Sequence, residues 1–215
     1  MSIFGTKSAM VAPDQAIAGR ATPVLPDPAP HLVLGTSLTG PWPDGTAVLH
    51  LAMGCFWGAE EIYWRLPGVV STSVGYMGGY TPNPTYQEVC SGRTGHTETV
   101  MVAYDPALLS TYDVLRVFWE SHDPTQGYRQ GNDVGTQYRS AIFTSTAEQA
   151  DLAARTRDAY ARVIADRGYP DITTQIAGAS GMPYYLAEDY HQQYLYKNPH
   201  GYRCHANTGL SLPAL

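Results

Sequence analysis

Cysteine is scarce in this chain: Cys55, Cys90 and Cys204 are the only ones in 215 residues. An odd, small number in a chain this long is no disulfide framework, so the fold must rest on a buried core. In a reducing compartment such thiols are either inert core residues or chemistry. Basic charge is also short. Lys and Arg total 13 against 19 Asp and Glu, a formal charge of −6, and no Lys/Arg cluster offsets it. Nucleic acid is therefore excluded as the main partner, since phosphate binding wants a basic face. Long apolar runs are missing too. None approaches the roughly 18 residues of a membrane span, so no membrane association is expected. Near the N-terminus Lys7 is followed by no apolar stretch, because Pro13 and Asp14 interrupt it. No secretory signal is read there, and a cytoplasmic location is expected. Phenylalanine numbers 4 against 16 tyrosines, a balance that suits half-polar pockets as well as core edges.

What is present divides into an arm and one domain. Residues 1–45 are rich in Pro, Ala and Gly, with Pro13, Pro23, Pro26, Pro28, Pro30, Pro41 and Pro43. They read as an irregular arm wrapping the domain. Residues 46–215 read as a single catalytic domain that includes a mobile tail, 197–215. Strands are expected over 47–53, 68–76, 97–104, 138–143 and 172–177. Helices are expected over 55–66, from a Ser110 cap through Trp119, from Thr146 with Gln149 to about Arg167, and briefly over 187–194. Strands and helices mix without regular βαβ alternation, which argues for a two-layer α+β sandwich. Nothing calls for an obligate oligomer, and a monomer is expected.

Four features carry chemistry. The first is Gly54-Cys55-Phe56-Trp57-Gly58, which places a thiol at a strand-to-helix turn. Unpaired backbone N–H groups and the helix dipole favour an anion there. Thiolate is the nucleophile, and a helix N-terminus is one place where a thiol's pKa falls. The two glycines clear space beside the sulfur, and Phe56 and Trp57 offer an aromatic wall suited to a methyl group. The bland alternative is a small residue plugging the strand–helix joint. The second feature is Glu98 in His96-Thr97-Glu98-Thr99-Val100-Met101-Val102. Alternation puts it on the face of Val100 and Val102. If that face is the core, desolvation raises its pKa and makes it a proton donor. If instead it sits at the strand's exposed end, it is an ordinary carboxylate.

The third feature is Tyr86, with Asp133 and Tyr138 further on. A tyrosine hydroxyl can donate to an oxygen that gains charge, whereas Asp133, before a glycine turn, reads by itself as a turn residue. The fourth is Cys204 in a tail of small and polar residues, within reach of the domain body. His200, Cys204 and His205 are neighbours, but no second Cys or His pair at ligand spacing completes a zinc site, so no metal is expected.

Together these features resemble the A-type peptide methionine sulfoxide reductases. The resemblance runs from about Thr46 to Gly209. Its anchors are the Gly54–Gly58 run with Ala59-Glu60, Gly75-Tyr76 with Gly78-Gly79, Pro82-Asn83-Pro84-Thr85-Tyr86, Gly92-Arg93-Thr94-Gly95-His96-Thr97-Glu98, Gly131-Asn132-Asp133 with Gly135 to Ser140, and Glu188-Asp189 with His191 to Tyr194. It implies a mixed sheet with a ferredoxin-like core. It implies reduction of the S epimer of methionine sulfoxide, free or in oxidised proteins. By resemblance Cys55 attacks the sulfoxide sulfur and Glu98 protonates the oxygen with help from Tyr86 and Tyr138. Phe56 and Trp57 hold the methyl, and Asp133 orders neighbouring groups or water. Cys55 becomes a sulfenic acid, Cys204 condenses with it, and thioredoxin restores both thiols. No bound cofactor is implied.

Many members carry one more cysteine in the tail. Here Ser211 stands near where it would fall, so a two-cysteine cycle is expected. Cys90 matches a position without a catalytic role and is read as structural, though it remains the rival resolver. In a reduced form Cys204 is expected well away from Cys55. Two other readings compete. A cysteine hydrolase or acyl transferase would use His191 or His96 as base. A binding module would use the aromatic pocket alone.

Overall fold

The computed structural model describes residues 8–204 and 206–215; Lys7 and His205 lie outside them. Thirteen elements follow in chain order: β1 (Ala47–Ala52), α1 (Phe56–Trp64), β2 (Val69–Met77), α2 (Tyr86–Cys90), β3 (Thr97–Tyr104), α3 (Thr111–Glu120), β4 (Arg129–Gln130), β5 (Asp133–Val134), β6 (Ala141–Thr144), α4 (Ala147–Ala165), β7 (Gln175–Gly178), β8 (Tyr185–Leu186) and α5 (Tyr194–Lys197). Six strands form one sheet in the order β7-β6-β1-β3-β2-β8, and β4-β5 pair as a separate ribbon. Neighbours in the large sheet run antiparallel except β6 and β7, which run parallel. The sheet is therefore mixed. Its central order, β6-β1-β3-β2, is that of a ferredoxin-like core.

Period-2 patterning sets which side of each strand meets the helices. Leu49 and Leu51 of β1 and Val100, Val102 and Tyr104 of β3 join one core with Phe56, Ala59 and Tyr63 of α1 and with the apolar face of α3. β3 pairs with β1 on one side and β2 on the other, and all eight of its residues are buried. The helix starts match their cap chemistry. Ser110 accepts from the Asp113 N–H, and Thr146 accepts from the Gln149 N–H, so each hydroxyl satisfies an orphan donor of the first turn. Val114, Leu115, Phe118 and Trp119 then face inward from α3, and Ala153, Thr156, Tyr160 and Ile164 from α4. The two helices are joined by a bond from Trp119 Nε1 to Thr156 Oγ1, 3.0 Å.

The segment before β1 is tied by side chains to α2, to the loop before it and to β2. Arg20 donates to both carboxylate oxygens of Glu88 (2.8 and 3.0 Å) and to the Asn83 carbonyl (2.7 Å). His31 is held by the Val33 and Leu34 N–H groups at Nδ1, so its Nε2–H donates to Thr72 Oγ1 at 2.8 Å. Three expectations need correction here. The strand expected over 172–177 is β7, Gln175–Gly178. The strand expected over 138–143 begins at Ala141, because Thr136–Tyr138 forms a 3-10 turn. The helix expected over 187–194 is a 3-10 turn at Asp189–His191 followed by α5, since Gln193 turns left-handed (φ 46) between them. No helix among the described residues is long and apolar enough to cross a membrane.

Candidate active site

The site lies where α1 leaves β1 and meets the start of β3. Cys55 caps α1, and Gly54 before it has φ +93, a conformation only glycine adopts freely. The space beside Gly54 is not left open for the sulfur as the sequence suggests. A Cβ there would meet Gln130 Cγ at 2.6 Å and Cβ at 2.8 Å, so the glycine admits Gln130 against the turn. Gln130 in turn both donates to and accepts from the backbone of Asp123.

Glu98 faces the helix layer, opposite Tyr76 in the β2–β3 register, and is 2% exposed. The Phe56 N–H donates to its Oε2 at 3.1 Å. One bond does not offset the loss of water. Burial pushes the carboxyl up to about 8, with the nearby Asp133 charge adding in the same direction, so at neutral pH Glu98 is mainly the acid. Burial and then the neighbouring Glu98 carboxyl also push the Cys55 thiol up, although a bond from the Trp57 N–H favours the thiolate. The helix N-terminus thus acts on Cys55 as expected, but desolvation outweighs it, and the resting group is a thiol.

Tyr86 opens α2, and its ring lies 6.4 Å from Phe56 and 4.3 Å from His191. Tyr138 closes the 3-10 turn before β6. Burial and then Glu98 push both phenols well above their usual range, so both keep their protons as donors. The aromatic wall is larger than the sequence reading had it. Tyr76 packs 5.9 Å from Phe56, Tyr194 stacks on Trp57 at 3.9 Å, and Trp57 Nε1 donates to His191 Nδ1 at 3.1 Å. Glu188 fixes two of these groups at once, accepting from Tyr76 Oη (2.9 Å) and from the Tyr86 N–H (2.8 Å). Sequence reasoning missed Tyr76, Glu188 and Tyr194 as site residues. The Glu188–Tyr194 stretch was conspicuous only through the resemblance.

The histidines do not supply a base. His96 accepts from the Gly79 N–H at Nδ1, which leaves Nε2–H to donate to the Thr81 carbonyl at 2.8 Å. His191 accepts from Trp57 at Nδ1, so in its neutral form the other nitrogen carries the proton; burial keeps its pKa low.

The β4–β5 ribbon carries the remaining residues. Asp133 lies in β5, half-buried, and accepts from Tyr202 Oη at 3.1 Å; burial raises its carboxyl. All three cysteines are unbridged. Cys204 is held against α1 and the β4–β5 ribbon. Its Sγ donates to the Gln130 carbonyl at 3.6 Å, a Cβ on Gly131 would meet that sulfur at 3.3 Å, and its N lies 4.0 Å from where a Gly58 Cβ would be. The reason is the set of bonds that residues 202–204 make to α1 and to the ribbon. Cys90, at the end of α2, bonds to the Tyr86 hydroxyl. Among the described residues no group of three or more His, Cys, Asp or Glu could hold a metal ion.

A buried cysteine beside a neutral acid and two protonated tyrosines is an arrangement suited to thiol chemistry on an oxygen-bearing substrate. The comparisons with known proteins give the family. The model of the peptide methionine sulfoxide reductase family matches residues 47–214. The peptide methionine sulfoxide reductase MsrA of Salinispora tropica is 60% identical, over 99% of this chain and 96% of its own length. That of Corynebacterium efficiens is 54% identical, over 96% and 95%. Among solved structures, methionine sulfoxide reductase A of Corynebacterium diphtheriae superimposes with a TM-score of 0.86 at 50% identity, over 96% of this chain and all of that one. Mxr1 of Saccharomyces cerevisiae in its reduced form gives 0.69 at 34%, over 76% and 91%. The chain belongs to the peptide methionine sulfoxide reductase family and is an enzyme of that class.

Proposed function

We propose that this enzyme reduces methionine-S-sulfoxide, free and in proteins, with Cys55 as nucleophile and Glu98 as acid. The observation that carries the reading is the buried Glu98 carboxyl, pushed up to about 8 and bonded to the N–H of the residue after Cys55. A sulfoxide oxygen is a poor leaving group until protonated. A neutral carboxylic acid in a dry site is suited to protonate it at pH 7, with Tyr86 and Tyr138 donating alongside. Cys55 sulfur attacks the sulfoxide sulfur while Phe56 and Trp57 hold the methyl. The S–O oxygen passes to Cys55, methionine leaves, and Cys55 becomes a sulfenic acid. Asp133, linked to Tyr202 and felt by both Cys55 and Glu98, orders this pocket. The Cys204 thiol then attacks the sulfenic sulfur. An S–S bond forms, the S–O bond breaks, and the hydroxyl leaves as water with the thiol proton. A dithiol reductant of the thioredoxin type reopens the disulfide by exchange. Sulfur carries both electrons, so no bound cofactor takes part, and the cycle suits the cytoplasm.

The test is a single turnover of pre-reduced enzyme with methionine-S-sulfoxide and no added thiol. One methionine formed for every two thiols lost is expected. The loss should fall to one thiol, that of Cys55 left as the sulfenic acid, in Cys204→Ser and stay at two in Cys90→Ser. If no methionine forms, the reading is wrong; if Cys90→Ser is the variant whose loss falls to one thiol, Cys90 is the resolver.

A further inference from the structure

Gly58 and Glu61, three apart, are neighbours on the surface of α1, and Cys55 caps the same helix three residues before Gly58. The Cys204 backbone lies against α1 at Gly58. The residue before it, Arg203, grips the helix one turn further along. Its Nε donates to Glu61 Oε2 at 2.7 Å and its Nη2 to Oε1 at 2.9 Å, a two-pronged contact. The remaining guanidinium nitrogen, Nη1, donates to the Pro199 carbonyl at 2.9 Å and the Gly201 carbonyl at 3.4 Å, which folds the 199–203 segment around its own side chain. Glu61 is buried, is also reached by Arg65 Nη2 at 2.7 Å, and is held below the usual carboxylate range, chiefly by Arg203. It therefore stays ionised throughout the working pH range.

We propose that the Glu61–Arg203 pair is a clasp that sets the position of Cys204 on the helix bearing Cys55, and so governs how fast the sulfenic acid is resolved. The inference rests on Cys204 being the resolving thiol. The side-chain bonds of Glu61 and Arg203 run to each other, to Arg65 and to the Pro199 and Gly201 carbonyls, so both are positioning residues. Two bonds in a fixed fork define direction as well as distance. They hold the backbone of the neighbouring residue while the Cys204 side chain stays free to rotate off the Gln130 carbonyl. Intramolecular sulfur–sulfur attack depends steeply on such placement, and a misplacement on the order of 1 Å can cost about a hundredfold.

The measurement is rapid-quench single turnover of pre-reduced enzyme with methionine-S-sulfoxide, following three products: methionine, sulfenic acid trapped by a cyclic dione, and residual thiols. Glu61→Gln and Arg203→Met should form methionine at the wild-type rate but close the disulfide more slowly by about tenfold or more, with trapped sulfenic acid rising to match. Arg203→Lys, which keeps the charge and loses the fork, should fall between. Disulfide closure at the wild-type rate in both Glu61→Gln and Arg203→Met would overturn the proposal. Equal slowing of methionine formation and closure would overturn it too, since the pair would then support α1 as a whole. If Cys204→Ser still loses two thiols per turnover, the fault lies in the assignment of Cys204 itself, and the clasp falls with it.

Discussion

Replacing Glu98 by Gln separates the two protons of the site. Burial pushes Glu98 up to about 8, and burial with the adjacent Glu98 carboxyl pushes Cys55 up as well. The proposed chemistry needs one ionisation form, Cys55 thiolate with Glu98 acid. That form holds as many protons as the thiol–carboxylate form, so the ratio of the two does not vary with pH. The pair sheds its first proton near pH 8. Below that pH the productive form grows about tenfold per unit, and above it the form keeps a constant share until the second proton leaves. Since kcat/KM reports the free enzyme, it should rise with pH to about 8 and then level. In Glu98→Gln only Cys55 titrates, so the bend near 8 disappears and the rate keeps climbing with the thiolate. The substitution conserves shape and leaves an oxygen for the Phe56 N–H, 3.1 Å away in the wild type. Loss of a positioned acid should lower the rate at pH 7 by about 10²–10⁴-fold. Removing the carboxyl's charge should also lower the Cys55 pKa, so alkylation by iodoacetamide at about pH 9 should quicken while sulfoxide reduction slows. Because unfolding would also expose the buried thiol, the comparison is made on variant protein with the wild-type urea midpoint. A bend that persists near 8 in the variant, or a rate within about tenfold of wild type, would refute Glu98 as the donor.

Two further outcomes follow from packing. Gly54→Ala should destabilise the fold by roughly 1–3 kcal/mol, because φ is +93 and a Cβ would sit 2.6 Å from Gln130 Cγ; a urea midpoint equal to wild type would count against this. Glu60→Gln should flatten the pH dependence of stability. Glu60 is fully buried, accepts from Thr72 Oγ1, the Gln193 N–H and Gln193 Nε2, and is raised by burial from 4.5 to about 7. A raised acid contributes stability that is fully present below its unfolded value and is lost as pH rises through its folded one. Urea midpoints at about pH 5 and pH 8 should therefore lie closer together in the variant, and an unchanged gap would rule this out.

The long elements were legible because they announce themselves locally. β3 alternates cleanly, and its parity put Glu98 on one face with Val100 and Val102, while which side of the sheet that face meets came only with the packing of α1 and α3. Ser110 and Thr146 marked helix starts by cap spacing, and Gly54 with Cys55 marked the joint of β1 and α1. The ribbon of β4 and β5 was not legible, since two-residue strands have no period, and Asp133 accordingly read as a turn. β8 is held by β2, far away in the chain, and α5 begins after a left-handed Gln193 that no residue type announces. The same holds within the site. Phe56 and Trp57 read as a pair, but the wall they belong to takes Tyr76 from β2, Tyr86 from α2 and His191 and Tyr194 from the C-terminal segment. Pairwise contacts across such separations leave no trace in spacing.

The state of Cys55 shows why local chemistry was an incomplete guide. A helix N-terminus favours thiolate, and the Trp57 N–H does so here, yet the sulfur is also buried beside an acid that itself resists ionisation. Desolvation acts on both groups, and each makes the other's charge more costly. At rest the site therefore holds two protons where solvent values would leave one. For the proposed cycle this is consistent on both counts. Thiol reacts slowly with peroxide, because thiolate is the reactive form, so the nucleophile is protected when oxidants are abundant. A sulfoxide, in contrast, brings an oxygen that can take the Glu98 proton and a sulfur that can take the Cys55 electrons. Only a substrate presenting both atoms at once lets the pair discharge, and that requirement separates a sulfoxide from a thioether or an ester more sharply than the aromatic wall does.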